Sequence, residues 1–99
     1  MRGIESSTSL LKGQWVVRDG RIIADETCQL IHELISSHLQ ELGRDPSGWD
    51  TLYRDPIDER LWELTFPQSE LHGGGPPQLS CLGQEEALRK YGSLPGLLI

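Results

Sequence analysis

Ser69, Glu70 and His72 stand within four residues of one another, in the stretch WELTFPQSELHGGGPP that runs from Trp62 to Pro77. A hydroxyl, a carboxylate and an imidazole are the ingredients of nucleophilic catalysis. A working triad, however, assembles its side chains from separate elements, and neighbours on one loop rarely reach that geometry. The chain has no GxSxG elbow to present a nucleophile. Glu63 and Glu70 make a carboxylate pair of the kind glycosidases use, but an acidic chain offers many such pairs and the chemistry depends on their separation. The run Gly73, Gly74, Gly75 suggests a phosphate cradle. Such a loop opens directly into a helix, and here Pro76-Pro77 and a strand pattern follow instead. His32 and His38 lie six residues apart, about 600° around a helix at 3.6 residues per turn, so they do not project side by side. His72 is alone in its loop, and Cys28 and Cys81 form no CxxC pair. The residues therefore point to no metal and no cofactor.

The elements around the 62–77 stretch explain its shape. Trp62, Leu64 and Phe66 alternate as on a strand, which stops at Pro67 because proline has no N–H to give a ladder. Three glycines carry a high ordering cost, so a fold that orders them needs a geometric reason. Two prolines then stiffen the exit. A polar loop between a strand and a stiff segment is either a recognition surface or a plain crossover. Glu63 has the opposite parity to Trp62 and Leu64 and projects from the other sheet face, where Arg54 or Arg60 across the hairpin is its simplest partner.

Upstream, Gln14–Arg18 and Arg21–Ala24 flank Asp19-Gly20, a type I′ hairpin signal. That turn sets Arg18 opposite Arg21, Val17 opposite Ile22 and Val16 opposite Ile23. Trp15, Val17, Ile22 and Ala24 then share a face, taken as the core side. Asp25 reads as a helix N-cap with Glu26 in the first turn. Cys28, Ile31, Leu34, Ile35, Leu39 and Leu42 recur at helical spacing, and Gly43 stands where a C-cap belongs, so the pattern predicts about 17 helical residues. RDPSG is a turn. Trp49–Arg54 and Arg60–Phe66 read as strands around the loop Asp55–Glu59, followed by a strand at Gln78–Leu82. A short helix spans Gln84–Tyr91, opened by Glu85 and Glu86, closed by Arg89 and Lys90 and capped by Gly92. The order β-β-α-β-β-β-α defines an α+β fold: an antiparallel sheet of about five strands with one long helix on one face and an open face for the remaining aromatics. Residues 1–9 read as a flexible tail, 10–92 as one domain, and 93–99 as a C-terminal tail whose order is undecided.

Composition bounds the partner. Ninety-nine residues suit one domain, with 36% hydrophobic content and mean hydropathy -0.38. No apolar run spans a bilayer and no secretory leader is evident, so the expected location is the cytoplasm and no membrane contact is expected. There the two cysteines are expected as small buried hydrophobes. Fifteen acidic and nine basic residues give a net charge of -6. That argues against nucleic acid, whose phosphates need clustered Lys and Arg, and favours a basic protein partner. Between Glu41 and Glu63 the acids Glu41, Asp45, Asp50, Asp55, Asp58, Glu59 and Glu63 outnumber Arg44, Arg54 and Arg60. This segment is the candidate acidic patch, or else a solvated rim of turns.

The segments GQWVVRDGRIIADE and GWDTLYRDPIDERLWELTFPQSELHGGGPPQL resemble the immunity protein 27 family of bacterial polymorphic-toxin systems, from about Leu11 to Tyr91. Gly48 to Leu79 is the most specific part, with Phe66 where tyrosine is expected. The resemblance implies an antitoxin-like protein that binds and neutralises a cognate toxin domain by stoichiometric occlusion and performs no catalysis. Motif positions Trp62, Glu63, Pro67, Ser69, Glu70 and Gly73 to Gly75 are candidates for that contact. His72 joins them from the same loop, and Asp55, Asp58 and Glu59 from the middle hairpin. Two other readings stand beside it: a small-molecule or peptide module with Trp49, Tyr53 and Trp62 on an open sheet face, and a hydrolase using Glu63, Glu70 and His72.

Overall fold

The computed structural model of the chain describes Ile4 and residues 7–67 and 75–92. Expectations for Ser69, Glu70, His72, Gly73 and Gly74, and for the tail from 93 to 99, lie outside the described residues. The order is β1 (Leu10–Lys12), β2 (Trp15–Arg18), β3 (Arg21–Ala24), α1 (Glu26–Ser37), β4 (Gln40–Arg44), β5 (Thr51–Arg54), β6 (Leu61–Thr65), β7 (Gln78–Leu82) and α2 (Gln84–Tyr91). The fold is α+β, with a five-stranded sheet in the order β1-β7-β6-β5-β4. Every pairing is antiparallel.

The sheet's membership differs from the sequence reading. The β2–β3 hairpin has the expected register, Arg18 with Arg21 and Val17 with Ile22, and both Asp19 (φ 53) and Gly20 (φ 74) take the positive φ of a type I′ turn. Yet it forms a two-stranded sheet of its own, and the five-stranded sheet is completed by β1 and β4. Thr8 and Ser9, assigned to the tail, are tied down beside β1: Ser9 O accepts from Cys81 N–H (2.8 Å) and Thr8 O from Arg60 Nη1 (2.6 Å).

Helix α1 begins as its residues dictate, with the Asp25 carboxylate accepting from Cys28 N–H at 2.9 Å. It ends at Ser37, six residues before Gly43. The Ser36 and Ser37 hydroxyls both donate back to Glu33 O, and the N–H groups of His38 and Leu39 converge on Leu34 O. Hydroxyls bonded to the preceding turn weaken a helix, and here the chain leaves it to pair as an edge strand. Leu39 still enters the core under α1, whereas Leu42 belongs to the opposite face. Gly43 lies at an irregularity in the β4–β5 register and caps nothing.

Both faces of the sheet are covered. On one, Ile31 and Leu34 of α1 pack with Leu39, Tyr53, Trp62, Leu64 and Leu79. On the other, Ala87 and Tyr91 of α2 pack with Leu52 and Leu61. The open aromatic face of the sequence reading is thus closed: Trp62 is fully buried and Tyr53 nearly so. Burying about 200 Å² of indole at ~25 cal/mol per Å² stabilises by ~5 kcal/mol at most. The Arg60 guanidinium 4.8 Å from the ring centroid adds ~0.5–1 kcal/mol, so packing holds Trp62 in place.

Candidate functional site

The β5–β6 register sorts the candidate residues. Thr51 pairs with Leu64 and Arg54 with Leu61, so the Asp55–Arg60 turn closes one end of the sheet. Phe66 and Pro67 leave β6 at the other end, about 15 Å away for strands of four to five residues. Asp58 and Glu59 therefore lie a strand's length from Pro67 and Gly75, and the two groups do not form one patch. Asp55 is fully buried, with its carboxylate 3.2 Å from His38 Nε2 but without hydrogen-bond geometry, and it accepts from Ile57 N–H at 2.8 Å. Trp62 likewise presents nothing to solvent. Gly75 is buried with φ 77, a left-handed conformation that glycine adopts without a Cβ clash. It leads into Pro76-Pro77, where Pro77 O accepts from Gly13 N–H at 2.9 Å. The described end of the GGGPP run is therefore built into the fold.

Four of the seven acids in this segment are paired with cations, two of them with Lys90 from α2. Asp58 bonds Arg60 Nε at 2.7 Å, Glu59 pairs with Arg54, and Asp50 and Glu63 share Lys90. Glu63 does project from the face opposite Trp62, as its parity requires. Its partners come from α2 rather than from Arg54 or Arg60: Lys90 Nζ at 2.5 Å and the Tyr91 hydroxyl, which donates at 2.8 Å. Partial burial pulls the Lys90 ammonium down, but hydrogen bonds to Asp50 and Glu63 outweigh it and hold its pKa above the ordinary lysine value. Burial, and then the Glu63 carboxylate, push the Tyr91 phenol far above its usual range. Asp50 and Glu63 thus hold Lys90 of α2 against the β4–β5 turn and β6. That arrangement ties α2 to the sheet. Among the described residues, no three His, Cys, Asp or Glu side chains converge on a metal-sized site.

Among the large apolar side chains left exposed are the hairpin pair assigned to the core and Trp49, assigned to a strand. Trp49 lies before β5, not on it, and is 62% exposed. Its loop is ordered by Asp45, whose carboxylate accepts from the Ser47 hydroxyl and from the N–H groups of Gly48 and Asp50. Slight burial raises the Asp45 pKa, but these donors overcome it and hold the carboxyl below the ordinary aspartate value. Val17 and Ile22, the assigned core pair of the hairpin, are 75% and 68% exposed, while Val16 and Ile23 are the more buried pair. With apolar residues at both parities, alternation could not choose the face. The signal for Trp49 was DPSG directly before it, a run that fills an Asx-type turn and leaves the next side chain outside.

A family model described as Immunity protein 27 matches residues 17–83, two thirds of the chain. The chain belongs to the immunity protein 27 family. The matched stretch runs from the hairpin to the end of β7 and leaves out β1 and α2. No curated protein and no solved structure matches the chain.

Proposed function

We propose that this protein neutralises a cognate bacterial polymorphic toxin in the cytoplasm of the producing cell by binding the toxin domain one-to-one and occluding it. The observation that carries this reading is the family match across two thirds of the chain. The structure is compatible with it. Large apolar side chains left exposed, Val17, Ile22 and Trp49 among them, fit a protein that meets another macromolecule. The net charge of -6 favours fast encounter with a basic domain, because opposite fields raise association rates. A tight interface would bury about 1,200–2,000 Å² in total, a large share of so small a surface.

Co-expression with the toxin domain encoded beside this chain tests the proposal. Rescue of growth together with a one-to-one complex on size exclusion is the expected result. Rescue at strongly substoichiometric levels, or no complex, would refute it.

A further inference from the structure

Helix α2 covers Leu52 and Leu61 on the sheet face away from α1, yet only Ala87 and Tyr91 of its own residues are buried. It has eight residues, fewer than the roughly 12–15 that an isolated helix needs in water. Docking on the sheet therefore keeps it helical. Its two ends are built differently. At the start, Gly83 joins it to β7 and supplies no side-chain cap. Space around that residue is open, since a Cβ there would come no nearer than 3.6 Å, to the Glu86 carboxylate. At the far end, about 12 Å along at ~1.5 Å per residue, Lys90 and Tyr91 reach Asp50 and Glu63.

Between those ends the packing is incomplete. A groove of about 380 Å³ runs beside the helix, lined by Glu63 and Leu82 of the sheet and by Glu86, Arg89 and Lys90 of α2. Glu63 sets the position of the helix. Its side chain is 10% exposed, and the Lys90 ammonium and Tyr91 hydroxyl that satisfy it both belong to α2. With α2 docked the carboxylate is paired, and with α2 away it is hydrated. Only a docked helix without those donors would leave it buried and unpaired, which is strongly unfavourable. The closed position thus depends on contacts at one end of a short lever whose other end is a glycine.

We infer that α2 is a hinged cover. It swings away as a unit about Gly83 when the Lys90 and Tyr91 contacts break, while the five-stranded sheet and α1 stay folded. Segments with few buried apolar contacts and solvent-exposed fastenings open in this way, at free energies below that of global unfolding. Opening uncovers Leu52, Leu61 and Leu82, an apolar strip that the closed molecule hides. Lys90 is more than a third exposed, so salt screens its ion pairs and favours the open form. The motion belongs to the fold and is independent of any partner.

Native-state hydrogen exchange on the full chain, followed by NMR across a urea series, tests this. In the wild type the amides of Ala87 through Gly92, which bond within α2 or to its caps, should share one protection factor. That value should lie at least about tenfold below the protection of the β6 amides, with a weaker urea dependence because less surface is exposed. K90M/Y91F takes both donors from Glu63 and keeps the ring. It should lower α2 protection about a further tenfold or more, with the signals of α1 and the sheet retained. Raising NaCl to about 1 M should lower α2 protection in the wild type and leave it unchanged in K90M/Y91F. Wild-type α2 amides with the protection and urea dependence of the β6 amides would overturn the inference, because α2 would then leave only in global unfolding. Protection that declines amide by amide toward Gly92 with no urea dependence would also overturn it, as fraying. If K90M/Y91F does not fold, the wild-type exchange pattern alone decides.

Discussion

Replacing Gly13 by alanine should destabilise the protein sharply, for reasons of space alone. Gly13 links β1 to the β2–β3 hairpin and is buried, and its φ is not among the positive ones, so backbone strain does not enter. A Cβ at this position would stand 2.6 Å from Cys28 Sγ and 2.7 Å from Pro77 O. Both distances are well inside van der Waals contact. Cys28 is fixed in the first turns of α1 and fully buried, while Pro77 O is backbone and already accepts from Gly13 N–H. Overpacking costs about 1–3 kcal/mol, and displacing that hydrogen bond another ~0.5–1.5 kcal/mol, so the expected loss is about 2–4 kcal/mol. At ~4–8 °C per kcal/mol for a domain of this size, the melting temperature should fall by about 8–32 °C. Cys28→Ala in the same background removes one obstruction and leaves the other. Calorimetric melting of the four-member cycle should therefore show partial rescue, with a favourable coupling of about 1 kcal/mol. A Gly13→Ala melting temperature within about 3 °C of wild type, or complete rescue by Cys28→Ala, would refute the argument.

Three further outcomes are expected. Lys90→Met should cost about 1–2 kcal/mol in urea unfolding, less than the 3–5 of a fully buried pair because Lys90 is more than a third exposed, and Glu63→Gln in that background should recover part of it. Burial raises the pKa of Tyr53, and burial followed by Glu63 raises that of Tyr91, the only two tyrosines in the chain. The unfolded chain releases both phenolic protons near pH 10 while the folded chain holds them to higher pH, so stability should fall as pH rises past ~10, and the phenolate absorbance of the folded protein at 295 nm should rise at higher pH than that of the unfolded chain. For Asp25, slight burial raises the pKa, but N–H groups led by that of Cys28 outweigh it and set the folded value below the unfolded one. Its contribution is therefore present above pH ~4 and lost as pH falls through the folded value. Asp25→Ala should cost about 1 kcal/mol at neutral pH and flatten the acid limb of the stability curve.

Local chemistry was legible in the residues wherever one element sufficed. Asp19-Gly20 dictated the turn and register of the hairpin, Asp25 began α1, and Glu85, Glu86, Arg89, Lys90 and Gly92 marked both ends of α2. The α+β class and the strands β5, β6 and β7 followed from alternation and proline. Family membership was likewise written in the motifs between Gly48 and Leu79.

Tertiary structure alone decided which of two apolar faces went inside. Val16 and Val17, like Ile22 and Ile23, are interchangeable to a hydrophobic pattern, and only the packing of the hairpin against α1 left Val17 and Ile22 outside. Leu42 continued a helical stripe that the chain abandoned at Ser37, because pairing with β5 offered hydrogen bonds the helix end lacked. Glu63 revealed its face by parity but not its partners, since Lys90 and Tyr91 lie more than 25 residues away and reach it only when α2 folds back across the sheet. Spacing along a chain determines what each residue can do locally; which side chains end up exposed together depends on contacts that no local pattern encodes.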